Sequence, residues 1–198
     1  MSDYSSKVFD PLDYHNIADA VVRGLLERMP QPLADVARFP GAGIYALYYL
    51  GDFEPYLPIS DTDCSIPIYV GKAIPPGARK GADRFDPNLG EPLYRRLKQH
   101  AASINDAENL QLSDFRCRHL RVQHIWIALA EQVLVQRFRP LWNTVIDGFG
   151  NHPPGRGRRS MRRPRWDIIH PGRDWALDLT PQETAEDILR EVAQHLCA

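Results

Sequence analysis

Two short runs constrain this chain more than any other feature: GIYALYY at 43 to 49 and PIYVGKA at 67 to 73. Each is dense in β-branched or aromatic residues and sets a tyrosine directly behind an isoleucine, a composition that favours strands. In the first run Tyr45, Leu47 and Tyr49 alternate with Ile44, Ala46 and Tyr48. Both faces are therefore apolar, and both must be covered by packed layers. The Pro-, Asp- and Ser-bearing stretch from Gly51 to Ser65 reads as the loop that returns the chain for the second strand.

Around this pair the pattern predicts helices. YHNIADAVVRGLLERMP carries Ile17, Ala20, Val21, Leu25 and Met29 near helical spacing and is stopped by Pro30. QPLADVARFPGAG reads as a linker. The Gly- and Pro-rich stretch AIPPGARKGADRFDPNLGEP reads as a long loop exposing Arg79, Lys80 and Arg84, and a loop of that length inside a domain usually has a task. EPLYRRLKQHAASI predicts a helix with a core stripe of Leu93, Leu97, Ala101 and Ile104. FRCRHLRV alternates as a third strand, with Arg116, Arg118 and Arg121 on or near its exposed side. HIWIALAEQVLVQRF is apolar nearly all round, so it reads as a buried helix ending before Pro140, and a last amphipathic helix runs from about Pro181 to Leu196.

A chain of 198 residues with 43% hydrophobic content suffices for one well-buried core and favours a single domain. No apolar run approaches the roughly 20 residues that span a bilayer, and MSDYSSKVFD lacks the basic and apolar blocks of a secretory signal, so the expected location is cytoplasmic, with no membrane partner. Cys64, Cys117 and Cys197 have no metal-ligand spacing and read as free thiols. The net charge of −1 conceals a division: residues 39 to 173 carry 19 bases against 13 acids, while both ends are acidic. Within the basic part, Arg156, Arg158, Arg159, Arg162, Arg163 and Arg165 follow one another with no acid among them. The run is either a polyanion contact, able to neutralise phosphates and release counterions, or a solvated loop.

Several residues have chemical potential. Glu131 interrupts the apolar IWIALAEQVLV. If buried it needs a cation, either a divalent metal or an arginine, and otherwise it marks a narrow solvent-facing edge. Arg96 and His100, four apart on a helix, set a proton-transfer group beside a fixed positive charge. Lys72 follows Gly71 where the strand ends, and can hold a phosphate, lower the pKa of a neighbouring phenol or simply terminate a strand. Tyr45 and Tyr69, taken singly, read as core aromatics. The spacings of His119, His124, His152 and His170 do not describe a zinc site.

The order of these residues is far more specific than any one of them. GIY at Gly43 to Tyr45, YVG at Tyr69 to Gly71 with Lys72, then YRRLKQH, a helical glutamate and PLWN resembles the GIY-YIG nuclease superfamily across residues 43 to 143. KAIPPGARKG, DGFGNHPPGRGR and WDIIHPGRDWA extend the resemblance to about residue 176, toward type II restriction endonucleases that cut the palindrome CCGCGG. The resemblance implies an α/β fold with a small central three-stranded sheet flanked by helices. It implies a catalytic core at about 41–145 and a basic DNA-contact segment at about 146–176. It further implies Mg²⁺-dependent hydrolysis of double-stranded DNA by a homodimer, with one Mg²⁺ per active site held by Glu131. Tyr45 would act on the attacking water, with His100 or Lys72 taking its proton. Arg96 would hold developing charge, Tyr69 would orient the phosphate and Asn143 would complete the polar wall. A homing or repair nuclease would use the same set with a separate DNA-binding module; a non-catalytic DNA-binding protein on this fold would have no need for the whole set.

Overall fold

The computed structural model describes residues 14–74, 90–152 and 162–197. In chain order its regular elements are α1 (Tyr14–Leu26), β1 (Gln31–Pro32), β2 (Gly43–Tyr49), β3 (Tyr69–Ala73), α2 (Pro92–Asp106), β4 (Phe115–Arg121), α3 (His124–Phe138), α4 (Leu141–Thr144), α5 (Arg165–Ile169), α6 (Asp174–Leu177) and α7 (Ala185–Leu196). The sheet has four strands in the order β1-β4-β2-β3, each pair antiparallel, where the resemblance implies three. The additional strand is Gln31–Pro32, paired with Arg116 and Cys117 inside the stretch that reads as a linker. Two residues are too short to show an alternation.

β2 is central and buried along its whole length. Its two faces divide as the alternation predicts. Tyr45, Leu47 and Tyr49 join the core beneath α2, α5 and α7, and Ile44, Ala46 and Tyr48 join the core beneath α1 and α3. The α2 stripe of Leu93, Leu97, Ala101 and Ile104 is buried, and His100 is buried with it. Ile146, Phe149, Trp166 and Ile169, from the expected DNA-contact segment, also lie in the first core, together with Ile188 and Val192 of α7.

Three helices differ from expectation. α1 buries Ala18, Val22 and Leu25, while Ala20 faces solvent and Met29 lies past the helix end, 84% exposed. α3 buries only Ile127, Ala130 and Leu134, and Ile125 is 64% exposed; its all-round apolar composition does not make it a buried helix. α7 starts at Ala185 rather than Pro181, because the Thr184 hydroxyl accepts a hydrogen bond from the Asp187 N–H and caps the first turn. No helix among the described residues is long and apolar enough to cross a membrane.

Candidate active site

The sheet brings the two sequence signatures together directly. β2 and β3 pair with Tyr45 opposite Gly71 and Ile44 opposite Lys72. A Cβ built on Gly71 would lie 2.3 Å from the Tyr45 hydroxyl oxygen, so the glycine of YVG makes room for the tyrosine of GIY. From the facing helix, His100 approaches the same phenol, with its Nε2 2.6 Å from Tyr45 Oη. Both groups are buried. Burial, above all, raises the Tyr45 pKa well above its ordinary value, with the neighbouring Tyr69 adding to it and Arg96 opposing. The same burial, reinforced by Arg96, His152 and Arg173, lowers His100 well below the usual histidine range, so its imidazole is neutral at pH 7.

Tyr69 is half-buried, and its ring meets His100 edge-on at 5.2 Å and Phe149 edge-on at 5.0 Å. Arg96 reaches the Gly148–Asn151 turn from α2. Its Nη2 donates to the Gly150 carbonyl at 2.8 Å, and its Nη1 lies 2.9 Å from His152 Nε2. An arginine can only donate, so His152 accepts with Nε2. A Cβ on Gly150 would lie 2.8 Å from Arg96 Nη2 and 3.0 Å from Tyr69 Oη, which shows how closely these groups converge. Beside them a cleft of about 780 Å³ is lined by Lys72, Gly90, Arg95, Arg96, Gly150 and His152.

Lys72 leaves β3 on the opposite sheet face from Tyr45 and forms an ion pair with Glu131 of α3. The Glu131 side chain is 24% exposed and that of Lys72 34%, so Glu131 is a half-buried acid with a cation already beside it. Lys72 is thus engaged with Glu131, whereas His100 is the group in contact with the Tyr45 hydroxyl. Asn143 spends its amide elsewhere. Its Oδ1 accepts from the Val70 N–H at 2.8 Å and its Nδ2 donates to the Val70 carbonyl at 2.9 Å, so it continues the hydrogen bonding of the edge strand that carries Tyr69 and Lys72.

The proposed DNA contacts divide. Arg79, Lys80, Arg84, Arg156, Arg158 and Arg159 lie outside the described residues. Arg162 is exposed. Arg163 donates from Nε to the Ala176 and Leu179 carbonyls, closing the end of α6. Arg165 pairs with Glu183 and Glu191 of the acidic C-terminal part. These two guanidinium groups hold the chain to itself.

Sequence reasoning missed the support behind Arg96. Arg173 forms a bidentate ion pair with Asp167, each side chain 2% exposed, and its remaining N–H groups donate to the Gly148 and Phe149 carbonyls. It thereby fixes the turn whose Gly150 carbonyl holds Arg96. Also missed was a second tyrosine–histidine pair, Tyr56 Oη to His170 Nε2 at 2.6 Å. Here His170 Nδ1 donates to Asn109 Oδ1 and Trp142 Nε1 donates to Tyr56 Oη, so every polar atom is matched inside the core. The Tyr45 pair differs in standing beside Arg96, which lines the cleft.

A family model described as the Eco29kI GIY-YIG domain matches residues 37–196. The chain belongs to this family of GIY-YIG restriction endonucleases. The match takes in all four strands except β1, and every residue described above at the candidate site falls within it. A search of curated proteins finds no match. Family membership makes the chain a DNA nuclease of the restriction type. It also extends the relationship, which the motifs suggest to about residue 176, through α7.

Proposed function

We propose that the protein is a type II restriction endonuclease that hydrolyses both strands of a short palindromic, G·C-rich duplex site, CCGCGG, as a homodimer. The observation that carries this reading is the buried 2.6 Å Tyr45–His100 hydrogen bond beside Arg96, the residue that lines the cleft. A neutral imidazole against a phenol is an arrangement for relaying a proton. As water attacks phosphorus it gives its proton to Tyr45 Oη, and the phenolic proton passes to His100 Nε2. With Lys72 engaged by Glu131, His100 is the acceptor we favour.

Arg96, presented by Gly150 and His152, offers N–H groups to the phosphoryl oxygens as charge builds on them. Tyr69 orients the phosphate from the neighbouring strand. Asn143 acts through Val70 as a positioning residue, keeping Tyr69 and Lys72 in register. Glu131 suits Mg²⁺: its side chain is partly exposed and already attracts a cation, and this ion keeps most of its waters and takes one or two carboxylates. Glu131 would hold the ion there, and its chemistry would be to stabilise charge on the departing oxygen.

Two-fold symmetry of the site implies two-fold symmetry of the protein, with one active centre per strand. Exposed arginines such as Arg162, and those outside the described residues, suit guanine edges or phosphates. The experiment is plasmid cleavage by purified protein with Mg²⁺, followed by sequencing of the ends. Cleavage at CCGCGG is expected, with Tyr45→Phe, Arg96→Ala and Glu131→Gln each slowing it at least about 100-fold. Full-rate cutting by any of these variants removes that residue from the mechanism. Cleavage elsewhere overturns the assigned site.

A further inference from the structure

Three acceptors hold the terminal nitrogens of Arg96. Nη2 donates to the Gly150 carbonyl at 2.8 Å, and Nη1 donates to His152 Nε2 at 2.9 Å and, at 3.3 Å, to Gln99 Oε1. The carbonyl and the amide keep their lone pairs at every pH. The imidazole does not, so His152 is the proton-sensitive member of the three. To accept with Nε2 it must be neutral, with its proton on Nδ1. A second proton would occupy Nε2, remove the lone pair that Nη1 uses and set two cations against each other.

The backbone leading to His152 is fixed, because Arg173 donates to the Gly148 and Phe149 carbonyls and, at 3.5 Å, to that of Asn151. The side chain itself is exposed. It stands between the cleft and a smaller pocket of about 230 Å³ and lines both. The charged and titratable groups that share these two cavities with it are Arg95, Arg96, His100 and Asp106 of α2, Glu91 just before that helix, Lys72 of β3, and Arg173. Partial burial of the ring, then Arg96 and Arg173, lower its pKa from the ordinary histidine value, so the accepting form prevails at pH 7. His100 is buried, whereas solvent reaches His152, which is therefore the histidine of the site that titrates first as the pH falls.

We propose that His152 is a positioning residue that holds Arg96 in its productive orientation only while its imidazole is neutral, so that one proton on His152 releases the guanidinium and switches cleavage off. The assignment rests on the nuclease reading and on Arg96 acting at the phosphate. His152 itself moves no proton of the reaction. Its effect is on where the Arg96 N–H groups stand when charge builds on the phosphoryl oxygens, which is the step that orientation governs.

The test is the pH profile of cleavage of a CCGCGG duplex with Mg²⁺, from about pH 5.5 to about 8.5, with circular dichroism reporting the fold at each pH. Wild-type kcat/KM should be level at high pH and fall on the acid side, below the ordinary histidine value of about 6.5. At high pH His152→Ala should lower kcat about tenfold with KM changed less than about threefold, the signature of a displaced catalytic group. His152→Gln, whose Oε1 accepts without titrating, should recover most of that loss and move the acid limb to lower pH. His152→Lys, a fixed cation, should stay slow throughout. Acid destabilisation of the fold would strike wild type and His152→Gln alike, so the difference between their profiles belongs to His152. A His152→Gln limb that coincides with that of wild type, or full kcat in His152→Ala, overturns the proposal and leaves the nuclease reading intact. A change in KM alone overturns it in favour of a direct DNA contact. Independently of turnover, the imidazole proton resonance that disappears in His152→Gln should titrate at higher pH in Arg96→Ala than in wild type, and an unmoved titration denies the contact. Wild type that cuts no duplex overturns the nuclease reading itself, and the role of His152 with it.

Discussion

Arg173 and Asp167 face each other through two charged hydrogen bonds, of 2.6 and 2.5 Å, in the interior beside Trp166. The pair also organises the candidate site at one remove, since Arg173 binds the carbonyls of the turn that presents Gly150 to Arg96. Removing one partner of a buried pair leaves a desolvated charge without compensation. Arg173→Met should therefore destabilise the fold by about 3–5 kcal/mol, measured as a shift in urea unfolding. A loss below about 1 kcal/mol would show that the carboxylate finds water or another donor.

His100 and His170 give stability a pH dependence. Burial lowers both pKa values in the folded chain, to about 3 for His170, while the unfolded chain titrates near 6.5. Below 6.5 the unfolded chain binds more protons, so this contribution is complete above about pH 6.5 and is lost as the pH falls. Each histidine costs about 1.4 kcal/mol per pH unit until its folded pKa is reached. Urea midpoints measured at pH 7.5, 6 and 5 should fall accordingly, and His170→Gln should remove one histidine's share of the slope. A variant with the wild-type slope would contradict the assignment.

The alternation of GIYALYY was enough to read both faces of β2, and the spacing of Leu93, Leu97, Ala101 and Ile104 was enough for α2. Those patterns repeat over several residues and are set by the core. The additional strand at Gln31–Pro32 carries no such repeat, and α3 misleads because its composition is apolar on faces that stay exposed. The ordered motif identified Tyr45, Tyr69, Arg96, His100 and Glu131 as a set. It could not indicate that Lys72 meets Glu131, 59 positions away, or that Asn143 serves the Val70 backbone. Arg173 and Asp167 were invisible for a related reason: a charged residue reads as surface, and their burial depends on tertiary packing alone.

Gly71 offers a sharp test of the contact between the two signatures. A methyl group there would lie 2.3 Å from Tyr45 Oη and 2.5 Å from its Cζ, so the phenol must move away from His100. Displacements of about 1 Å cost on the order of 100-fold in rate when the displaced group takes part in the reaction. Gly71→Ala should lower cleavage by at least that factor, with far-ultraviolet circular dichroism still showing a folded chain. A folded variant cleaving at the wild-type rate would place the Tyr45 hydroxyl outside the chemistry.

Lys72 and Glu131 give a prediction that does not depend on turnover. A divalent cation at Glu131 must displace or share the carboxylate with the Lys72 ammonium, since the two are already in contact. Both side chains are partly exposed, which limits the strength of the pair to about 1 kcal/mol. Replacing the ammonium with an apolar side chain of similar length removes this competition. Lys72→Met should therefore bind Mg²⁺ about fivefold more tightly by isothermal titration calorimetry in the absence of DNA, and Lys72→Met combined with Glu131→Gln should lose the gain. Equal affinities in wild type and Lys72→Met would mean that the cation does not bind at Glu131. A gain that survives loss of the Glu131 carboxylate would point to a different ligand.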